Sequence, residues 1–293
     1  MRVDEPDPAD VPVAVIGAGT MGAGIAQVAA AAGHPVALYD VADEPLRRGR
    51  ERIERFLGRG VEKGAVSAEH AAATLERVSL ARELAELGGA AVVIEATPEV
   101  LELKRSVFEE LGGVVAESAL LASNTSTLSV AAIFAGVVEP ERCCGMHFFN
   151  PAPLMPLVEI IRGPGTALAT AERAASLARS WGKQPVDAAD SPGFIVNRVA
   201  RPFYGEALRL LGDGAADVTT VDRLVRDCGF PMGPFELMDL IGIDVNFAAA
   251  ESVFNGFFGE PRFRPHPIQR AMVESGRLGR KTGLGYYDYS ETT

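Results

Sequence analysis

The sequence predicts an α/β domain built on a parallel sheet, followed by an all-α domain. Three observations predict it. From Pro12 to about Val186, short apolar runs alternate with longer amphipathic ones. A strand, helix, strand rhythm of that kind implies a parallel sheet covered on both faces. The first apolar run ends in Gly17-Ala18-Gly19-Thr20-Met21-Gly22, a glycine turn that opens a helix. After Ser191-Pro192-Gly193 the strand candidates give way to helical periodicity.

At 293 residues the chain exceeds what one compact core usually holds, so two domains are expected. The change of character places their boundary near Ala188 to Pro192, giving an α/β domain over residues 11–188 and a helical one over 189–293. Residues 1–10 are acidic and proline-rich, with no basic or apolar segment of a signal peptide, and read as a disordered lead-in. A composition of 47% hydrophobic and 23% charged residues is that of a folded globular chain rather than a disordered one. The net charge of -11 argues against nucleic acid as a partner. No apolar stretch is long enough to span a bilayer, so no membrane association is expected. Cys143, Cys144 and Cys228 make neither a framework of paired bridges nor a metal site, and the adjacent pair reads as buried thiols. The cytoplasm is the expected compartment.

The elements follow in order. Val13 to Ile16 is a strand buried on both faces, Met21 to Ala32 a helix stopped by Gly33, and Val36 to Tyr39 a second strand. Further strands are expected at Ala91 to Ile94, Ala119 to Ala122, Cys143 to Phe148 and Leu157 to Ile161. Beyond the boundary, helices are expected at Phe194 to Leu211, Val218 to Cys228, Phe235 to Ile241, Val245 to Phe258 and Pro267 to Ser275. One more strand candidate lies at Tyr286 to Tyr289.

The turn from Gly17 to Gly22 has the G-x-G-x-x-G spacing of a dinucleotide site. Its first glycine allows the tight turn, Gly19 lets a pyrophosphate approach, and Gly22 lets helix and strand pack closely. The helix N-terminus at Thr20 and Met21 then offers N–H groups and a positive dipole end. Asp40 ends the second strand, where a carboxylate accepts hydrogen bonds from an adenine ribose; a plain turn aspartate is the other reading. Asp40 would repel a 2′-phosphate, and no arginine follows until Arg47, which favours NAD over NADP.

Ligands in such a sheet sit beyond the carboxyl ends of its strands. Glu99, Ser123-Asn124-Thr125-Ser126 and His147 are all expected there, and Glu159 lies in a strand able to return beside His147. Oxidising an alcohol requires removal of the hydroxyl proton while hydride leaves carbon. Histidine suits the first task, and a carboxylate on its other ring nitrogen fixes the tautomer. His147 with Glu159 is therefore a candidate base and orienter, set against the reading of a hydrogen-bonded structural histidine.

His147-Phe148-Phe149-Asn150-Pro151, with Glu159 in Leu157-Val158-Glu159-Ile160, resembles the 3-hydroxyacyl-CoA dehydrogenases. The resemblance runs from Gly17 to Tyr289 and includes Ser123-Asn124-Thr125-Ser126, the stretch Ser191 to Arg198, Gly233 to Leu237 and Gly279 to Gly283. It implies a Rossmann-type NAD-binding domain followed by an all-α C-terminal domain for substrate and dimerisation. It implies NAD-dependent oxidation of a (3S)-3-hydroxyacyl-CoA to the 3-oxoacyl-CoA, with His147 as base and Glu159 as its partner. Ser126 and Asn197 would hold the substrate oxygen, and Glu99 and Lys104 match positions beside the cofactor. Thr97-Pro98-Glu99-Val100 departs somewhat from the commoner spelling. The family is typically dimeric, so a two-fold homodimer is expected.

Two basic features bear on the substrate. Arg48, Arg52, Arg55, Arg59 and Lys63 recur at helical steps on one face. The family places coenzyme A contacts on the corresponding helix, with Lys63 and Arg59 foremost; an ordinary solvated face is the alternative. The stretches Arg201 to Arg209 and Phe258 to Pro265 resemble the phenylacetate-degradation branch, which handles 3-hydroxyadipyl-CoA. Arg201, or Arg262 or Arg264, would then meet the distal carboxylate, unless these are structural arginines. A 3-hydroxybutyryl-CoA specificity stays open. Two rival readings are a sugar-acid dehydrogenase of the L-gulonate kind and a non-catalytic NAD-binding protein.

Overall fold

The structure, a computed structural model, describes Ala9 and residues 11–290. The lead-in expected over residues 1–10 lies, Ala9 apart, outside the described residues. The chain divides between Asp190 and Ser191 into two compact units.

The first unit holds β1 (Val13–Ile16), β2 (Val36–Tyr39), β3 (Val78–Ala81), β4 (Val92–Glu95), β5 (Leu120–Ser123), β6 (Cys143–Phe148), β7 (Leu157–Arg162) and β8 (Gln184–Ala189). They form one sheet in the order β3-β2-β1-β4-β5-β6-β7-β8. Its helices are α1 (Thr20–Ala31), α2 (Asp43–Glu62), α3 (Ala68–Glu76), α4 (Leu101–Leu111), α5 (Val130–Ile133) and α6 (Leu168–Ser180). Every residue of β1, β4, β5 and β6 is buried, which is why the greater part of each reads as an apolar run. The main core gathers Val15, Ile25, Leu38, Ile53 and Ile94 between sheet and helices. The chain leaves β1 toward β2 and returns past it to β4, so the strand order reverses at β1. A crevice for a ligand opens at the carboxyl ends beside such a reversal.

Several features of this unit differ from expectation. Two strands were not foreseen, β3 and β8, and both are sheet edges. β3 is the short Val-Ser-Leu-Ala with its middle residues exposed, and β8 carries Pro185 and Asp187; edge strands tolerate both. The sheet is not wholly parallel, because β7 runs antiparallel to β6. β4 and β5 each extend one polar residue further, to Glu95 and Ser123, which are fully buried and hydrogen-bonded to each other.

The second unit consists of α7 (Val196–Gly212), α8 (Val218–Asp227), α9 (Pro234–Ile241), α10 (Ile243–Gly256) and α11 (Pro267–Glu274) around Tyr204, Leu208, Val221, Phe235, Met238 and Ile243. The buried Asp222 caps α9, accepting from Phe235 N and Glu236 N at 2.9 Å each. No strand forms at Tyr286 to Tyr289. Leu284 makes only isolated bridges, to Gly279 and Asp288, and the backbone N–H groups of Tyr286 and Tyr287 donate to the Asp239 carboxylate instead. Among the described residues no helix is long and apolar enough to cross a membrane.

Candidate active site

The glycine turn is built to receive a dinucleotide. Gly17 has φ of 95°, a left-handed backbone, and a Cβ there would stand 2.7 Å from Ala96 O at the end of β4. A Cβ on Gly22 would collide with Gly17 O at 1.7 Å, so only glycine lets α1 begin this close to β1. At Gly19 a Cβ would meet open space, and the N-terminus of α1 carries no side-chain cap. Gly19 and Thr20 are exposed and Met21 half-buried, leaving the helix N-terminus to a ligand's phosphates. Asp40 ends β2 as expected, and its Oδ2 accepts from Ala18 N at 2.8 Å. One carboxylate oxygen thus ties β2 to the turn, and the remaining acceptor capacity is left for a ribose. These residues fit NAD.

Beyond β4 and β5 lies a polar network that the sequence showed only in part. Glu95, fully buried, accepts from Lys104 Nζ at 2.8 Å, Ser123 Oγ at 2.5 Å and Thr97 N at 2.6 Å. Lys104 was expected beside the cofactor, but it too has no exposure. Its ammonium is satisfied by Glu95, by Thr97 O at 3.2 Å and by Glu99 Oε2 at 3.5 Å. Its ammonium thus meets Glu95 and Glu99 and not solvent. Glu99 Oε1 accepts from Thr125 Oγ1 and Ser126 N at 2.8 Å and from Thr127 N at 2.9 Å. Burial pushes its carboxyl up, but the Lys104 charge and these hydrogen bonds outweigh it and hold the group below 4.5. Glu99 thus fixes the loop that carries Ser126. Glu95 escaped the sequence reading because a carboxylate after an apolar strand looks like a loop residue; Lys104, nine positions on, was the available signal.

His147 and Glu159 are direct cross-strand partners in the antiparallel β6–β7 pair. His147 Nδ1 lies 2.6 Å from Glu159 Oε2, with the two residues 4% and 0% exposed. An ionised carboxylate has only acceptors, so Nδ1 carries the proton and Nε2 is left as the basic nitrogen. The Phe149 ring lies 4.4 Å from the imidazole. Asn124 Oδ1 accepts from Phe148 N at 2.8 Å, and Lys183 Nζ donates to Ala152 O at 2.6 Å and Met155 O at 3.0 Å. These two side chains, Asn124 expected at this edge and Lys183 not foreseen, clamp both ends of the segment that follows the histidine.

The basic side chains of α2 differ in their partners. Arg48 pairs with Glu44 at 2.7 Å, Arg52 reaches toward Ala18 O at 3.5 Å, and Arg55 donates to Glu51 O at 3.4 Å. Arg48 is thus paired within its own helix. Arg59 and Lys63 remain exposed and line a cavity of about 820 Å³ together with Phe56, Leu154, Trp181 and Lys183.

In the second unit, Asn197 and Arg201 sit one turn apart on α7. Arg201 Nε donates to Asn197 O at 3.1 Å, and its Nη2 approaches Asn197 Oδ1 at 3.4 Å. Arg201 is only 6% exposed and also donates to Asn246 O at 2.8 Å. Cys143 and Cys144 are buried as expected, and burial pushes both thiols up to about 12.

Comparison with known proteins accounts for both units. A family model described as 3-hydroxyacyl-CoA dehydrogenase, NAD binding domain, matches residues 12–191, and one for the C-terminal domain matches residues 193–289. A 3-hydroxyadipyl-CoA dehydrogenase of Escherichia coli (strain K12) is 51% identical over 94% of this chain, which spans 58% of that protein's length. A probable 3-hydroxybutyryl-CoA dehydrogenase of Bacillus subtilis (strain 168) is 40% identical over 96% of this chain and 98% of its own. The crystal structure of a 3-hydroxybutyryl-CoA dehydrogenase from Escherichia coli K12 superposes with a TM-score of 0.93 at 50% identity, covering 96% of this chain and 60% of that one. The chain belongs to the 3-hydroxyacyl-CoA dehydrogenase family and is an NAD-dependent enzyme.

Proposed function

We propose that this protein oxidises the 3-hydroxyl of a (3S)-3-hydroxyacyl-CoA to the 3-oxoacyl-CoA, with His147 taking the hydroxyl proton. The observation that carries this reading is the His147 to Glu159 contact of 2.6 Å at the carboxyl edge of the sheet. The glycine turn and Asp40 would hold NAD, which would supply the acceptor for the hydride leaving C3. His147 Nε2 receives the proton as the carbonyl forms, and Glu159 stabilises the resulting imidazolium. Ser126, fixed by Glu99, and Asn197, fixed by Arg201, donate to the oxygen as its charge develops.

The cavity lined by Arg59 and Lys63 supports their role with coenzyme A. The exposed cations Arg59 and Lys63 suit its phosphates, and Phe56, Leu154 and Trp181 offer apolar wall. A homodimer working in the cytoplasm completes the reading. Val199, Phe230, Val245 and Phe258 leave apolar surface exposed on the second unit, which suits a self-complementary contact.

The test is NADH formation from NAD with 3-hydroxyadipyl-CoA and 3-hydroxybutyryl-CoA supplied separately. Turnover that disappears in His147→Ala supports the reaction and its base. No turnover on either thioester by a protein that still binds NAD would remove the reading.

A further inference from the structure

We propose that Lys183 is a positioning residue through which the phosphates of the coenzyme A carrier speed the chemical step at His147. One ammonium receives the carrier's phosphoadenosine end and seats the segment that leads away from the histidine. The proposal rests on the dehydrogenase reading and adds that the carrier's far end contributes to rate as well as to affinity. Lys183 lies within the first unit, at the turn Trp181-Gly182-Lys183 between α6 and β8.

This turn grips the segment after His147 at both ends. Phe148 stacks on Trp181 with ring centroids 6.2 Å apart. Lys183 Nζ donates to Ala152 O at 2.6 Å and to Met155 O at 3.0 Å. Between these holds the segment lies close against α1. A Cβ on Gly24 would stand 3.2 Å from Ala152 Cβ and 3.3 Å from Pro153 Cδ. Phe148 directly follows the histidine, so a shift of the turn reaches His147 through one peptide unit.

The ammonium lacks a counter-charge. Lys183 is 7% exposed, its partners are two neutral carbonyls, and it makes no ion pair among the described residues. An ammonium carries three donors, and the third has no acceptor among the described residues. Burial pulls the group below the ordinary lysine value of 10.5, as it does where no carboxylate answers the charge. Burying an unpaired cation is costly, and an amide would bond two carbonyls without that cost. The charge therefore calls for an anion.

The cavity says which anion. Lys183 lines the space of about 820 Å³ together with Arg59, Lys63 and His70. No aspartate or glutamate lines it, in a chain with 39 acidic residues against 28 Lys and Arg. Arg59 stands over the Phe56 ring at 5.9 Å, and neither it nor Lys63 makes an ion pair among the described residues. A phosphate entering there meets exposed cations at the surface and the buried ammonium deeper in. Its charge completes the surroundings of Lys183 and fixes the turn that grips the His147 segment. Binding energy from a remote part of the substrate is then spent at the reacting centre. A carrier without phosphates leaves the turn as it is.

The experiment compares 3-hydroxybutyryl-CoA with the same acyl group on N-acetylcysteamine, which carries no phosphate. Single-turnover NADH formation at saturating thioester is read for wild type, Lys183→Gln and Lys183→Arg. Wild type is expected to react about 10- to 100-fold faster on the CoA thioester, the worth of a charged hydrogen bond. Adenosine 3′,5′-bisphosphate added in trans should speed the short thioester by about tenfold. Lys183→Gln should lose both the ratio and this activation, while Lys183→Arg, which keeps the charge, retains them. A purely structural lysine would slow the two thioesters equally, and an unchanged ratio in Lys183→Gln overturns the proposal. So does a bisphosphate that competes with the CoA thioester in wild type yet leaves the short one no faster. Equal activation by inorganic sulfate at matched ionic strength overturns it as well. If Lys183→Gln does not fold, Lys183→Arg decides: activation kept supports the proposal, and activation lost overturns it. A wild type inert on both thioesters, with NAD still bound, overturns the dehydrogenase reading itself and the proposal with it.

Discussion

Lys104 Nζ lies 2.8 Å from Glu95 Oε1, and neither side chain has any solvent exposure. The pair joins α4 to the end of β4, beside the polar loops of the site. Removing one partner strands the other charge in a dry interior, and such a break costs about 3–5 kcal/mol. Lys104→Met is therefore expected to lower stability by that order in urea unfolding, with reduced activity through the displaced Glu99. A variant as stable as wild type would mean that water reaches Glu95.

Glu99 gives the loop at Ser126 a dependence on acid. Its carboxyl is held below its ordinary value of 4.5 by Lys104 and by donors from Thr125, Ser126 and Thr127, despite burial acting the other way. A group lowered on folding stabilises fully above the unfolded value and loses that contribution as pH falls through the folded one. The thermal midpoint should thus decline below about pH 4.5, and less steeply in Glu99→Gln. Identical acid limbs for the two proteins would show that Glu99 does not carry the effect.

The thiols separate by burial. Cys143 and Cys144 lie within β6 and are pushed up to about 12, while Cys228 is exposed. The thiolate is the reactive form, so a disulfide reagent at pH 8 should label Cys228 alone in the folded protein and all three after denaturation. Early labelling of a second thiol would indicate that β6 opens locally.

How much of this could be read in advance depended on burial. Strands with four buried residues, such as Val13–Ile16, announce themselves because every position must be apolar. Val78–Ala81 and Gln184–Ala189 did not, since an edge strand pairs through its backbone while Ser79, Pro185 and Asp187 face outward or toward a partner. Motif spacing located His147 and Glu159, because a short return strand brings residues 12 apart into register. It did not locate Glu95 or Lys183, which bond to other side chains or to backbone and follow no local pattern. Charge spacing on α2 showed the basic face but not which of its cations the helix's own glutamates pair with.

Glu159 fixes the state in which His147 can serve as a base. The carboxylate accepts from Nδ1–H across the β6–β7 pair and leaves Nε2 unprotonated. Glutamine has the same shape, yet its amide can donate to Nδ1, which moves the ring proton to Nε2 and removes the base. It also withdraws the negative charge that stabilises the imidazolium. Glu159→Gln should lower kcat by about 10²- to 10⁴-fold, the usual range for general-base catalysis. The KM for the thioester should change little, since Glu159 is fully buried and in the proposed reaction acts through the histidine. Single-turnover NADH formation reads the chemical step directly. A normal single-turnover rate in this variant would show that His147 keeps its tautomer without Glu159, and would reduce the pair to a structural contact.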